Sequence, residues 1–368
     1  MVARSALAVL CLAVLAMGSP AHGQTTVRVA TWNIETVGAP GSVEYDAALE
    51  ILARVDADVI ALHEIASAAD AVHLQDLAAD AGYPHSACTS GAPFGSDRNA
   101  ILSRHPFASP AIEHDAASLS GDPAAKDITR LIVEAVIDVP GNAVDLTVVA
   151  THWKSGNGND DEFRRVVEAY RVGQAIADLD GAVDAFIVVG DVNEEADSTP
   201  RTPNPFTGLP SGLPGSFSLG SDLSSMLSAG DLANDPFEPL EASPGTAAQV
   251  VPALQVDGSD STRPASGRRL DYILVSQVLA DAGVDSEVFD SADETLGGGL
   301  AKSGSPLAAS TSLDAADHLV VFVDVTVPAA AVEIPALGAF ALALLVAVLV
   351  GGATTLFAVR NRRRQNAT

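Results

Sequence analysis

Cysteine is nearly absent from this chain. Of 368 residues only Cys11 and Cys88 are cysteines, and Cys11 falls in an N-terminal apolar stretch that reads as a removable leader. Cys88 then stands alone. No intramolecular disulfide can form, no disulfide-linked partner is indicated, and the fold must stand on its core. Aromatic residues are scarce as well, at 5%, so Ala, Val and Leu do most of the packing. Positive charge is the third shortage. Twenty Lys and Arg face 47 Asp and Glu, for a net charge of −27, and Lys126, Lys154 and Lys302 are the only lysines. Setting aside Arg4, Arg360, Arg362, Arg363 and Arg364 leaves 15 basic residues against all 47 acidic ones, a net charge of −32 for the portion between the termini. Such a surface repels polyanions at long range. It argues against tight, non-specific nucleic-acid binding unless a local basic track or divalent ions compensate, and it also suits salty surroundings.

Apolar residues make up 48% of the chain, enough for a sizeable core in one large or two ordinary domains. No internal repeat is visible. Arg4, the apolar run Ala6 to Met17 and Ser19-Pro20-Ala21-His22-Gly23 form a signal-peptide pattern with cleavage expected near Gly23. From Ile334 to Val359 there is no charge, and Arg362-Arg363-Arg364 follow. That run is long enough to span a bilayer, with the basic tail cytoplasmic and residues 24–333 outward. Ile334-Pro335-Ala336-Leu337, the span and the arginines also resemble the C-terminal sorting signals of some bacterial surface proteins, so a sorting enzyme is an expected partner alongside the membrane. The expected organisation is a leader over 1–23, a catalytic domain over 24–328, a linker over 329–333, a transmembrane or sorting segment over 334–359 and a basic tail over 360–368. The protein is expected outside the cytoplasm, held at the membrane.

Between the termini, helix and strand patterns alternate, which implies an α/β domain with buried sheets. Strands are predicted over 27–31, 57–62, 98–102, 130–139, 145–150, 186–189, 269–275 and 319–327. Helices are predicted over 45–55, 66–79 and 161–179. On the last of these, Phe163, Val167, Tyr170 and Gln174 share a face, and Arg164, Arg165 and Arg171 are expected on the solvated side. Residues 195–265 and 281–312 read as long polar loops with few short elements.

One pattern recurs. A hydrophobic strand is followed or preceded at once by a ligand-type residue: Asn33, Glu64, His152, Asp191 with Asn193, Asp271, and Asp317 with His318. Strand ends are where α/β folds assemble sites. In Phe186-Ile-Val-Val-Gly-Asp191-Val-Asn193 the carboxylate and the amide lie two apart, hence on one side of an extended chain. Hard oxygen donors in that number suit a divalent metal ion, Mg2+ first, with Mn2+ or Ca2+ also compatible. An Asp beside a His fixes its tautomer and raises its basicity. A plain surface reading of any one residue stays open, as does a catalytically silent binding module.

The order and wording of these pieces resemble the endonuclease/exonuclease/phosphatase superfamily of metal-dependent phosphoesterases. The matching pieces are Thr31-Trp32-Asn33-Ile34, Leu62-His63-Glu64-Ile65, Asn99 to Arg104, Thr151-His152-Trp153-Lys154-Ser155, Gly190-Asp191-Val192-Asn193, Arg269-Leu270-Asp271-Tyr272-Ile273 and Asp317-His318. The resemblance implies a four-layer α/β sandwich, two packed mixed β-sheets flanked by helices, here with one C-terminal transmembrane helix added. It implies Glu64 as the main metal carboxylate, helped by Asn33, with Asp317 as a ligand or as the residue that orients His318. It implies His318 as general base or acid held by Asp271, Asp191 placing the attacking water, and Asn193 and His152 on the phosphate. Lys154, Arg130 and Asn99 are substrate-binding candidates. His63 stands where family members often carry Gln. His152 resembles the second histidine of deoxyribonucleases and sphingomyelinases, where abasic-site nucleases place a tyrosine. The implied substrate is a phosphodiester: nucleic acid first, a phospholipid head group as the alternative.

Overall fold

Alternating apolar side chains build two facing sheets. The computed structural model describes residues 25–141, 145–196, 200–241 and 247–328. The first sheet contains β1 (Thr25–Asn33), β2 (Val59–Ile65), β3 (His85–Cys88), β4 (Arg98–Ser103), β11 (Val284–Phe289) and β12 (Val320–Val327). Their order is β11-β12-β1-β2-β4-β3. The second contains β5 (Ile112–His114), β6 (Ile132–Ile137), β7 (Leu146–His152), β8 (Phe186–Asp191), β9 (Ala248–Val250) and β10 (Asp271–Ser276), in the order β5-β6-β7-β8-β10-β9. β1 runs parallel to β2 and β7 parallel to β8. The other pairs are antiparallel, so both sheets are mixed, as expected.

Side chains of period two divide the core. Val27, Val29, Val59, Ala61 and Ile101 of the first sheet meet Val148, Ala150, Ile187, Val189, Ile273 and Val275 of the second in one apolar layer. The opposite parity faces the helices. α1 (Val43–Val55) and α2 (Asp70–Asp80) cover the first sheet, where Ile51, Leu52, Val55, Leu74 and Leu77 pack on Ala30, Trp32, Ile60 and Leu62. Fully burying Ile51, Leu52 and Val55 contributes about 6 kcal/mol before entropy. Ser42 starts α1 by accepting the Tyr45 N–H at 3.3 Å, and Asp56 ends it in the left-handed conformation. α3 (Ala116–Ser120) lies before β6. α4 (Asn159–Ala175) covers the second sheet with Ala169 and Val172 on Val149, Trp153, Phe186 and Val188. The remaining helices are α5 (Ser221–Ala229), α6 (Glu238–Glu241), α7 (Gln277–Ala282) and α8 (Thr311–Ala315).

Several expectations shift. β2 runs on to Ile65 and so carries His63 and Glu64 within the strand. The stretch 281–312, expected as loop, contains β11, whose first half is partly exposed at a sheet edge and shows no clean apolar alternation. Residues 195–265 agree with the expected loop region, holding only the short α5, α6 and β9. Arg164, Arg165 and Arg171 are buried, not solvated; the Thr129 hydroxyl holds Arg164, Glu194 and the Lys154 and Gly156 carbonyls hold Arg165, and Asp127 and Asp222 hold Arg171. The predicted leader and the span over 334–359 lie outside the described residues. Among the described residues no helix is long and apolar enough to cross a membrane.

Candidate active site

At one end the layer between the sheets turns polar without breaking its alternation. Val29 is followed on its own face by Thr31 and Asn33, Ala61 by His63, Ala150 by His152 and Val189 by Asp191, while Ile273 is preceded by Asp271 and Ile101 by Asn99. The parallel pair of each sheet ends here, with Asn33 opposite His63 and His152 opposite Asp191. Two local devices bring the remaining groups in. β2 loses register against β4 between Leu62 and Ile65, and Glu64 sits in that irregularity at φ 62°. A bulge of this kind re-aims a side chain. At Gly190 a Cβ would lie 1.9 Å from the Thr151 carbonyl oxygen, so only glycine lets β8 approach β7 just before Asp191. Four non-glycine residues have positive φ among the described residues: Glu35, Asp56, Glu64 and Asn193. Three of them stand in or beside this cluster, where strained backbone commonly marks function.

Asp271 and His318 form the tightest pair. His318 Nδ1 donates to Asp271 Oδ2 at 2.7 Å, and the same oxygen accepts the Thr262 hydroxyl at 2.7 Å. The Trp32 indole N–H holds the His318 carbonyl at 3.0 Å. Burial works against a charged His318 ring, but the facing carboxylates of Asp271, Asp191 and Asp317 outweigh it and push its pKa up to about 10. The ring is therefore protonated at neutral pH. Asp191 is held by Asn33 Nδ2 at 2.9 Å and by the Asn193 N–H at 2.9 Å. Burial, then the charge of Asp271, pushes its carboxyl up to about 7. Burial likewise raises Glu64, partly offset by Asn33.

His152 is buried with both ring nitrogens free of hydrogen bonds. Its Nε2 lies 3.6 Å from Glu64 Oε1 and 3.5 Å from Asp191 Oδ2. Burial, followed by the charge of Arg130, drives its pKa well down, so the ring is neutral. His63 is also neutral. Its Nδ1–H donates to Asn99 Oδ1 at 2.9 Å and its bare Nε2 accepts the Thr31 hydroxyl at 2.9 Å, and burial lowers its pKa to about 4. Two sets of three possible ligand atoms, Glu64–His152–Asp191 and Asp191–Asp271–His318, each lie within 4.8 Å of one another. Asp271 Oδ1 is buried without a hydrogen-bond partner. Clustered carboxylates with an orphaned buried oxygen fit a hard divalent cation, which removes both the repulsion and the unmet acceptor.

The structure thus brings Asn33, Glu64, His152, Asp191, Asn193, Asp271 and His318 together. Asp317 sits at the rim, with its Oδ2 on Arg263 at 2.7 Å and its Oδ1 3.8 Å from His318 Nε2. Arg130 is held by the Trp153 carbonyl at 3.0 Å and Asp97 at 2.9 Å. Asn99 supports His63. Lys154 is drawn aside, its Nζ 2.9 Å from Asp161. Sequence reasoning missed Thr262 and Arg263, which lie in a Ser- and Gly-rich loop without a motif. The one available signal was a cluster of Arg263, Arg268 and Arg269 in a chain short of cations.

The match to known families follows this geometry. The model of the Endonuclease/Exonuclease/phosphatase family matches residues 30–305, so the chain belongs to that family. It is a metal-dependent phosphoric ester hydrolase. Among solved structures, the endonuclease/exonuclease/phosphatase from Bacteroides vulgatus is 16% identical with a TM-score of 0.51, over 83% of this chain and 100% of that one. That likeness concerns the fold. The endonuclease/exonuclease/phosphatase from Beutenbergia cavernae is 20% identical with a TM-score of 0.46, over 84% of this chain and 73% of that one. Sphingomyelinase C from Streptomyces griseocarneus is 17% identical with a TM-score of 0.46, over 82% and 99%. A search of the curated proteins returns no match.

Proposed function

We propose that this chain is an exported, membrane-tethered phosphodiesterase that cleaves nucleic acids outside the cytoplasm. The observation that carries the catalytic part is the cluster of half-buried Glu64 with buried His152, Asp191, Asp271 and His318, in which Asp271 Oδ1 and both His152 nitrogens lack hydrogen-bond partners. The leader pattern over 1–23 and the uncharged run over 334–359, followed by arginines, support export and anchoring of a catalytic domain spanning 24–328.

Glu64, helped by Asn33, would hold a divalent ion, Mg2+ in the first instance. Bound there, such an ion would supply Lewis acidity toward a phosphoryl oxygen. The protein's own groups carry the rest. Asp191, with a carboxyl near 7, takes the proton of the attacking water as its oxygen bonds to phosphorus. His318, protonated and clamped by Asp271, offers Nε2–H to a phosphoryl oxygen as charge builds there. The 2.7 Å bond to Asp271 favours the charged ring, and with it an acid and electrostatic role. Neutral His152 and Asn193 hold the other phosphoryl oxygens, and Arg130 adds charge behind them. The P–O ester bond breaks opposite the incoming water, and the departing oxygen keeps the bonding pair and takes its proton from solvent.

A sphingomyelin-type phosphodiester is the second reading, favoured by the net charge of −32 between the termini, which repels long polyanions. The test offers the purified chain plasmid DNA, RNA, sphingomyelin and bis-p-nitrophenyl phosphate, each with Mg2+ or EDTA. Metal-dependent nicking that disappears in Glu64→Gln supports the nuclease. Turnover of sphingomyelin alone moves the assignment to the lipid. No turnover of any of the four by folded protein overturns the phosphodiesterase reading.

A further inference from the structure

α4 packs behind the site and buries charge where a sheet cover needs only hydrocarbon. Arg164, Arg165, Glu168 and Arg171 are each less than 5% exposed. Arg171 is tied to Asp127 at 2.5 Å and Asp222 at 2.6 Å, which fastens the loop before β6 to the first turn of α5. Glu168 makes a different kind of contact. Its Oε1 accepts the Thr129 N–H at 2.6 Å and its Oε2 accepts the Lys154 N–H at 2.6 Å. Both amides belong to segments just outside β6 and β7, where the ladder supplies no partner.

Those two amides bracket the phosphate-facing groups. Arg130 follows Thr129, while His152 and Trp153 precede Lys154. The Trp153 carbonyl accepts Arg130 Nη1 at 3.0 Å and Asn193 Nδ2 at 3.2 Å. The Trp153 N–H donates to the Asp191 carbonyl at 3.0 Å. One turn back, Arg165 Nη1 donates to the Lys154 and Gly156 carbonyls at 3.0 and 2.8 Å, and its Nε to Glu194 at 3.0 Å. Three site-bearing segments, 129–130, 152–156 and 191–194, are thus read off one helix face. We propose that Glu168 is a positioning residue for hydrolysis, seated by α4 so that its carboxylate holds the His152 and Arg130 segments in one register, with Arg165 extending the hold to Asn193. A charge-assisted bond to each amide is stiff and directional, and displacement of reacting groups by about 1 Å costs on the order of 100-fold in rate. The inference rests on the phosphodiesterase reading above.

The experiment compares Glu168→Ala and Glu168→Gln with Val167→Ala, a buried apolar change on the same helix, where Val167 packs in a separate cluster with Phe206 and Leu223. All are assayed as full chains on bis-p-nitrophenyl phosphate, at a temperature where circular dichroism reports full folding. Glu168→Ala is expected to lower kcat on the order of 100-fold, with KM changed less than about threefold because the misplaced contacts count most in the transition state. Glu168→Gln keeps one acceptor oxygen and is expected to recover kcat to within about tenfold of wild type. Val167→Ala lowers Tm and keeps wild-type kcat. Amide exchange at Thr129 and Lys154 accelerates in Glu168→Ala and not in Val167→Ala. Accelerated exchange with an unchanged kcat overturns the proposal, as does a kcat loss in Val167→Ala equal to that in Glu168→Ala. A wild type that hydrolyses no phosphodiester overturns the functional reading and this one with it, and is told apart because the wild type itself then fails.

Discussion

Between the sheets, the apolar middle of the layer and its polar end are built by the same strands in the same alternation. Val189 and Asp191 differ by one step of two residues on β8, and both are essentially inaccessible. Around Val189 the neighbours are hydrocarbons that lose nothing on leaving water. Around Asp191 they are carboxylates, imidazoles and amides, with the Asp271 oxygen and the His152 nitrogens unmet. Burying like charges this way costs several kcal/mol per group, so the middle must stabilise what the end destabilises. The contrast teaches that the site is a modified core, and it can be broken at either end.

The largest expected effect comes from Asp191→Asn. Loss of the proton acceptor should lower kcat on the order of 1,000-fold, about 4 kcal/mol. The same change should raise stability at pH 8. The Asp191 carboxyl lies above its unfolded value, so its ionisation lowers stability as pH rises from about 4 through about 7, and Asn removes that cost. Urea unfolding at pH 8 decides, and a destabilised variant would sink the contrast. Next is His63, buried and neutral. Its folded pKa of about 4 lies below its usual value. The unfolded chain therefore binds the proton more tightly, and stability falls as pH drops from about 6.5 through 4, by about 3 kcal/mol. His63→Gln should flatten that part of a pH series of unfolding curves, and an unaltered slope would remove His63 as its cause.

At the apolar end, Val189→Ala should cost about 2 kcal/mol of stability through the cavity it leaves, with kcat unchanged. A matching loss of activity at full folding would show that the middle and the end are not separable. The smallest effect is at Glu35, exposed and left-handed at φ 58°. Glu35→Gly should gain up to about 1 kcal/mol by relieving that backbone, read as a higher Tm, and a lower Tm would contradict it.

Much of the site was legible because strand ends are legible. Asn33, Glu64, His152, Asp191, Asp271 and His318 each terminate or adjoin an apolar run, and the structure gathers all six. The coarse fold followed from the same runs. What escaped was the set of groups whose partners are distant in sequence. Thr262 matters only because Asp271 folds back onto it. Arg164, Arg165 and Arg171 were expected on a solvated helix face, since a charged residue on an amphipathic helix usually is, and Glu168 stood in no motif. Their burial is possible because amides meet Glu168, and a hydroxyl, carbonyls and carboxylates from other segments meet the arginines. β11 escaped because an edge strand buries only part of one face.

The sequence by itself determined where side chains change character along each strand, because alternation is a local property of an extended chain. It also determined the shortage of cysteine and cations, and with it a fold that rests on packing and a site that must deal with excess negative charge. Only the tertiary structure decided that six strand ends from two sheets meet at one place. It also decided that His318 is charged while His152 and His63 are neutral. Those states depend on burial and on the distance to Asp271, Arg130 and Asn99, quantities that exist only once the two sheets are packed face to face.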